Sequence, residues 1–499
     1  MRTPLQYVNE EPFPLPSKVI FFHDWRHVCH GYPQWRTATG ERPPLFGSGP
    51  LPEIHFQRDS PYGLRLKVIP ARKTEIALRQ EMPWEGIIGS VSVAREGGVY
   101  RMWYEVVTPE MMASPHAGLG NLLCYAESDD GMTWRRPLTG GTNAVYGGEL
   151  AGEWGYHGGS VFLDEDGPAE GRYKVVYLAQ VPEAAAREFA ERHPQSVSPW
   201  PRIGERNSAI AAATSPDGLT WTRNPGPLCL HFSDTQNIAG YNALLKQYVG
   251  YCRTWVLGRR SVGCWASDDF AVASAPETIL WPSADVGPTD TWYGNAYNTW
   301  PGAPDYHLLF PHRWQIADDR FYVHLFTSPD GILWGAPPRN QVLTPGDRSE
   351  WDTGGVVFGR GMVDLPGNRV GVPYVGVSIP HKYPRRPPLG QVAWATWEQD
   401  RLVALEAPEE ADFTTWIFDA QGSELRLNVS TKFSGWIKVG LLSADREPIP
   451  GYTLDDCDPI DGNHFEHVVS WHGKTALPPG PLGFMVRMRH AELFSLRIS

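Results

Sequence analysis

The chain has 499 residues and a formal charge of −12, with 51 Gly, 46 Pro, 21 Trp, 20 Tyr and 19 Phe. The acidic balance argues against a nucleic-acid partner and provides no basic face for a membrane, and no run of roughly 18 apolar residues reads as a transmembrane helix. Many aromatics among many turn formers favour short strands and many loops, so the expected class is all-β, as several domains or one large architecture.

The N-terminus, Met1-Arg-Thr-Pro-Leu-Gln-Tyr7, has no basic region followed by an apolar stretch. No signal peptide is expected, and the expected location is cytoplasmic. Six cysteines (Cys29, Cys124, Cys229, Cys252, Cys264, Cys457) lack Cys-x-x-Cys spacing. That pattern predicts buried reduced thiols rather than a disulfide framework or metal cluster.

Residues 1–80 read as an irregular N-terminal arm packing on the main body. Val19-Ile-Phe-Phe22 reads as a strand, ending at His23-Asp24-Trp25-Arg26, and Pro and Gly then follow densely to Pro52. His23 and Asp24 are ordinary residues of a turn after a strand. Asp24 and His23 are also placed to reach an active centre from its rim.

Residues 81–410 read as repeated four-strand units. The ruler is Tyr125-Ala-Glu-Ser-Asp-Asp-Gly-Met-Thr-Trp134, which returns as Ala213-Thr-Ser-Pro-Asp-Gly-Leu-Thr-Trp221 and Phe326-Thr-Ser-Pro-Asp-Gly-Ile-Leu-Trp334, with a weaker copy at Trp265-Ala-Ser-Asp-Asp-Phe270. Recurrence of this kind marks a repeat architecture. In each copy an apolar run delivers a strand, Asp-Gly closes a tight turn, and Trp packs over the hairpin. Asp130, Asp217 and Asp330 therefore read as turn chemistry rather than catalysts. Counting back from each copy gives five units, and five four-stranded antiparallel units make a five-bladed β-propeller. Residues 183–192 give the one clear helix signal, an insertion in the second unit with an exposed or lid-like character. Beyond about Glu406 clean period-two alternation, as in Ser423-Glu-Leu-Arg-Leu-Asn-Val-Ser430, predicts a small β-sandwich over 411–499.

In a propeller the innermost strands line a central channel, so polar residues opening each unit are the site candidates. The carboxylates are Glu85, Asp234, Glu350 and Asp352, proposed as catalytic. His157, Asn237, Asn295 and Tyr297 open units beside them, and Arg253, His312, Arg313, Arg360 and His381 lie where second strands or loops supply cations. These nine, with Asp24, are the candidate substrate-binding residues. Convergent carboxylates suit glycoside hydrolysis, one ionised as nucleophile or base and another kept protonated as acid. Glu350 or Asp352 would be the acid, Asp234 the base or nucleophile, and Glu85 a stabiliser. Trp84, Trp103, Tyr104, Trp292, Tyr293 and Trp351 could stack on sugars, although packing between blades is the commoner use of such aromatics. His307, His312 and His381 could hold a channel metal, but a lone His is more often a hydrogen-bonded channel residue, and no cofactor or metal is expected.

The combination of Trp84-Glu-Gly, Tyr100-Arg-Met-Trp-Tyr104 and the three turn motifs resembles the five-bladed propeller glycosidases of the invertase/levanase and arabinanase/β-xylosidase type. The tail from Leu425 to Asp456, ending in Ala491-Glu-Leu-Phe-Ser-Leu-Arg-Ile498, resembles the β-sandwich that follows such propellers. The resemblance covers about 80–499. It implies a carbohydrate substrate, with a furanoside or related glycan as the expected one, and a catalytic Asp on the first blade, a place held here by Glu85 unless Asp24 takes it. The invertase signatures Asn-Asp-Pro-Asn, Arg-Asp-Pro and Glu-Cys are absent, so roles do not transfer residue by residue and phosphorolysis or transfer stays open. The turn motif also resembles the sialidase Asp-box, one residue shorter. A sialidase-like site would use an arginine triad, for which Arg253, Arg313 and Arg360 are the candidates. A non-catalytic sugar-binding or scaffold propeller is the competing reading. Self-association into a homo-oligomer is compatible with the sequence.

Overall fold

A computed structural model describes residues 10–31, 34–37, 54–57, 61–113, 120–199, 207–282, 286–384 and 389–499. The protein divides into two compact units. One spans Pro70–Gln399, and the other combines Gln6–Ile69 with Asp400–Ser499.

The first unit is built from antiparallel sheets in succession. The first contains Ile87–Glu96, Val99–Val107, Leu122–Ser128 and Ala144–Gly147. The second contains His157–Leu163, Tyr173–Val181, Asn207–Ser215 and Thr222–Arg223. The third contains Ile238–Asn242, Gln247–Val256, Arg259–Ser267 and Glu277–Thr278.

The fourth is kinked. Asp290–Gly294 and Tyr297–Trp300 form one interrupted strand against Ala303–Leu309 and His312–Gln315, and the reciprocal amide bonds of Ala296 and Phe310 carry the pairing across the break. Arg320–His324, Phe326–Ser328 and Gln341–Leu343 complete it. The fifth contains Gly355–Phe358, Arg369–Val377 and Gln391–Glu398. Its outer strand is Arg72–Lys73, from the beginning of the unit. The predicted fourth unit opens about five residues later than the observed strand.

The inner strands hand over to one another around a ring. The Val161 amide donates to Ser92 Oγ (3.0 Å) between the first and second sheets. The Asn237 amide donates to Gly158 O (2.7 Å) between the second and third. Arg253 donates to Tyr293 O between the third and fourth. The Gly361 and Met362 amides donate to Asn298 Oδ1 (2.7 and 2.9 Å) between the fourth and fifth. Val93 N to Arg360 O (2.8 Å) and Arg360 N to Val91 O (3.0 Å) close the ring from fifth to first. Closure needs glycine. A Cβ at Gly361 would lie 1.9 Å from Val93 O, and one at Gly359 would lie 2.2 Å from Val91 O.

The repeated motif explains how neighbouring sheets are fastened. Ser128, Ser215 and Ser328 each accept from the motif glycine's amide at 2.8–2.9 Å. Asp130, Asp217 and Asp330 each accept from the next two amides at 2.7–2.8 Å. The motif glycines sit at φ between 74° and 77°, where side chains are disfavoured. Their carbonyls then serve the adjacent sheet. Trp394 Nε1 donates to Gly131 O (2.8 Å), Trp103 Nε1 to Gly218 O (2.7 Å), and the Tyr251 hydroxyl to Gly331 O (2.7 Å). In the weak third copy Phe270 replaces glycine, at φ 60°, and packs on Phe162 of the second sheet.

The helix Glu183–Arg192 forms as expected, but it is no free lid. Ala186 and Phe189 are buried in the apolar cluster of the second sheet. The six cysteines are buried and none of them forms a disulfide.

In the second unit the strands run Asn463–Val468, Leu425–Leu442, Gly483–Ile498, Val403–Thr414 and Arg65–Val68, with Val19–Phe21 also paired to Gly483–Ile498. The long strands bend at irregularities such as Thr431/Trp436. Alternate residues Leu425, Leu427, Val429, Ile437, Val439 and Leu441 are buried. Its content differs from expectation at both ends. It takes in Gln6–Ile69, which read as part of an arm, and it begins at Asp400 rather than 411.

Replacing Trp103 by Phe removes a buried donor and should lower the unfolding free energy by roughly 1–3 kcal/mol, measured by urea denaturation. A variant as stable as the parent would show that the Gly218 carbonyl does not depend on this clasp.

Candidate functional site

Inner strands enter the ring at the end where His157 opens the second sheet and Asp234 precedes the third. Two polar groups there keep access to solvent: the His157 side chain is 29% exposed and that of Asp234 is 42% exposed.

His157 is backed by Glu105, which stands near the end of Val99–Val107 and is buried. Glu105 Oε1 accepts from His157 Nδ1 (2.8 Å), Asn121 Nδ2 (2.5 Å) and the Gly158 amide (2.9 Å). Burial favours the neutral acid. The His157 charge and these hydrogen bonds outweigh it and hold Glu105 down to about 2. Burial likewise opposes a charged His157, but the Glu105 carboxylate, followed by Asp234, more than offsets it and raises the imidazole above its ordinary value. With Glu105 anionic, Nδ1 carries a proton. The imidazole also bonds the main chain of Asp234, linking the first, second and third sheets.

Asp234 forms an ion pair with Arg253, whose side chain is 2% exposed. Arg253 is fixed in turn. Its Nε and Nη2 donate to Tyr293 O (3.1 and 3.0 Å), its amide donates to Ser233 Oγ, and its guanidinium carbon lies 4.2 Å from the Tyr293 ring centre. Aromatic rings border this pair: Trp255 stacks on Phe232 at 6.1 Å, and Tyr293 meets Trp314, Phe321 and His381 at 5.7, 4.9 and 4.7 Å. A mouth with an exposed carboxylate, a proton-rich imidazole and aromatic walls is suited to acid–base work on a polar ring-shaped ligand.

The other predicted carboxylates have different surroundings. Glu85 is buried, accepting from Tyr104 OH (2.7 Å), Arg136 Nε (3.0 Å) and the amides of Glu81 and Met82. Asp352, 1% exposed, pairs with Lys73 (2.7 Å) and accepts from Tyr374 OH and the Gly346 amide. Glu350 is exposed and accepts from the Asp347 amide. The last two carboxylates approach each other, since both crowd the position of a Cβ on Gly346. Together they hold the turn at 346–347. Asp24 lies in the second unit, held by Arg26.

Asn237 is a channel brace, with Nδ2 donating to the carbonyls of Gly158, Ser233 and Thr235. Asn295 is fully buried, and among the described residues its side-chain amide has no hydrogen-bond partner. His312 accepts from the Phe358 amide through Nε2 (3.1 Å), and burial pushes its imidazole down to about 3. Tyr297 bonds His307 Nδ1 (2.8 Å) and packs on Tyr251 at 4.5 Å. Arg313 pairs with Asp290. His307, His312 and His381 thus have separate engagements, and among the described residues no three His, Cys, Asp or Glu side chains gather as a metal site.

Arg360 lies toward the far end of the ring. Its Nη1 donates to Tyr297 O (2.8 Å), and the residue lines a cavity of about 370 Å³ with Val93, Phe162, Asn298 and Asp364. Phe162 is five residues beyond His157 on its strand, about 17 Å at ~3.3 Å per residue. Arg253, Arg313 and Arg360 are therefore held on separate partners rather than grouped as a triad.

Sequence reasoning missed Glu105 and Asn121 because it searched only the openings of inner strands. A glutamate inside the otherwise apolar run Trp103-Tyr-Glu-Val-Val107 was the available signal.

No family model matches the chain, and no curated protein does. The solved structures it is similar to include glycoside hydrolases. The protein is similar to the Bombyx mori GH32 beta-fructofuranosidase BmSUC1 at 9% identity, covering 85% of this sequence and 94% of that one with a TM-score of 0.41. It is similar to a member of the GH130 family of mannoside phosphorylases, which contains glycoside hydrolases targeting beta-1,2 mannosidic linkages in Candida mannan, at 12% identity, covering 67% and 94% with a TM-score of 0.42. A glycosyl hydrolase from Bacteroides ovatus stands at 14% identity, 68% and 95% coverage and a TM-score of 0.43.

The Glu105–His157 pair has a defined pH signature. Glu105 is depressed from 4.5, so its contribution is complete above that value and is lost as pH falls toward about 2. His157 is raised from 6.5, so its contribution is complete below that value and is lost as pH rises through the folded one. The stability difference between the parent and His157→Gln should therefore peak between pH 4.5 and 6.5. Urea midpoints across pH test this, and a flat difference would dismiss the coupling.

Proposed function

We propose that this protein is a carbohydrate-active enzyme that cleaves a glycosidic bond at the His157–Asp234 end of the ring, with a furanoside or related glycan as substrate. The observation that carries the reading is the exposed Asp234 carboxylate, held by Arg253, bordered by Tyr293 and Trp255 and standing where the Glu105-backed imidazole of His157 meets the Asp234 main chain. In this reading Asp234 serves as base or nucleophile. His157, with its raised proton affinity, serves as proton donor, and Glu105 positions it. Burial and anchoring let Arg253 hold the Asp234 carboxylate in one orientation.

The assignment moves the acid away from Glu350 and Asp352, which support a turn. Asp234→Asn and His157→Asn should each lower kcat on a responsive chromogenic glycoside about a hundredfold or more, whereas Glu350→Gln should leave it unchanged. Full turnover in Asp234→Asn would end the assignment. Loss of turnover in Glu350→Gln would return the acid role to that carboxylate.

One observation favours a second reading, a propeller that binds sugar without cleaving it. Glu85, Asp234, Asp290 and Asp352 each already have a cationic partner. Sugar binding without turnover across a broad glycoside panel would support that reading.

A further inference from the structure

The Asp234 end of the ring carries a cation that its carboxylates do not offset. Arg260 pairs across the third sheet with Trp255, and its guanidinium carbon lies 5.4 Å from the Tyr293 ring centre and 5.3 Å from that of Trp314. Among the described residues it has no carboxylate within salt-bridge distance, and its side chain donates no hydrogen bond. Its Nε is buried without a partner. Asp234, whose charge acts on Arg260, is taken by Arg253.

Other charged groups stand close by. Lys382 extends its ammonium toward Trp314, 5.4 Å from the ring centre. Asp319 accepts from Trp314 Nε1 (3.0 Å) and from the Lys382 amide, so it is already engaged. Burial, and then the Arg253 charge, lower the proton affinity of Arg260, the mark of a guanidinium short of negative charge. Such a group, flanked by aromatic faces and with its terminal donors unused among the described residues, is suited to planar oxyanions.

We propose that Arg260, between Tyr293 and Trp314, receives an oxyanion beside the Asp234–Arg253 pair: the carboxylate of an acidic sugar, or free inorganic phosphate. The inference rests on the reading of this end of the ring as a carbohydrate site and narrows its ligand class. An acidic sugar would bring its carboxylate to Arg260 while its ring lies on Tyr293 or Trp314. Phosphate at the same place would stand next to Asp234, where a second reactant of a phosphorolytic cleavage is needed.

Calorimetry on the full-length protein separates the sources. The ligands are glucuronate and galacturonate, their neutral counterparts glucose and galactose, and inorganic phosphate. If the source is a sugar carboxylate, an acidic sugar binds roughly tenfold or more tightly than its neutral counterpart, the scale of one hydrogen bond to a charged group. Arg260→Met abolishes the difference and Arg260→Lys restores part of it. If the source is free phosphate, phosphate binding disappears in Arg260→Met while acidic and neutral sugars bind alike. Unchanged anion binding in Arg260→Met, or no anion binding by the parent, overturns the proposal. Thermal melting checks that each variant is folded. Asp234→Asn keeps the two readings apart: anion binding that persists there while turnover is lost supports both. Turnover that survives ends the catalytic assignment and leaves the oxyanion site standing.

Discussion

The clasp between an aromatic donor and a motif-glycine carbonyl organises the first unit. A sheet of four short strands buries too little to stand alone, so each must find its neighbour at a defined height and angle. The carbonyls of Gly131, Gly218 and Gly331 provide that address because serine and aspartate side chains have already satisfied the turn's amides. The aspartates are thus occupied inwardly, and acidity for chemistry has to come from elsewhere. At the third sheet the Phe270 carbonyl accepts from Asn224 Nδ2 (2.7 Å), next to the outer strand of the second sheet, while its ring packs on Phe162, so a clasp of the same kind persists where the glycine is missing.

That division of labour shapes the channel. Most carboxylates around it are neutralised locally: Glu85 by Arg136, Asp290 by Arg313, Asp352 by Lys73. Burying a charge without such a partner is costly, and these pairs avoid the cost. Departures from neutrality are then informative. Glu105 raises the proton affinity of His157 against its burial, and among the described residues Arg260 has no carboxylate within salt-bridge distance. Both lie where Asp234 reaches solvent, so the unusual electrostatics and the accessible carboxylate coincide.

Much of this was legible in the sequence because it is local. The Ser-x-Asp-Gly turns, their spacing and the alternation of the C-terminal strands all depend on residues within a few positions of each other. The helix at 183–192 was legible as a helix, but its burial depended on Phe189 meeting a distant sheet. The missed features are nonlocal. Lys73 meets Asp352 across most of the unit, Glu105 meets His157 from a second strand, and Val19–Phe21 completes a sheet with residues near the C-terminus. Arg260 had no local signature, because its interest lies in the partner it lacks.

The outer strand of the fifth sheet, Arg72–Lys73, is also the first segment of its sheet to leave the ribosome, and Gln391–Glu398, which it pairs with, is the last. The second unit is split further apart, with the whole span Pro70–Gln399 inserted between its two pieces. Synthesis therefore imposes an order. The ring can close once residue 399 is available, whereas Gln6–Ile69 must wait through the making of all of Pro70–Gln399 before Gly483–Ile498 can pair with Val19–Phe21. Contacts so far apart in sequence form slowly and leave apolar strands uncovered in the interval. The N-terminal segment is accordingly the part of this protein most dependent on protection during biosynthesis, although it lies outside the unit that holds the candidate site.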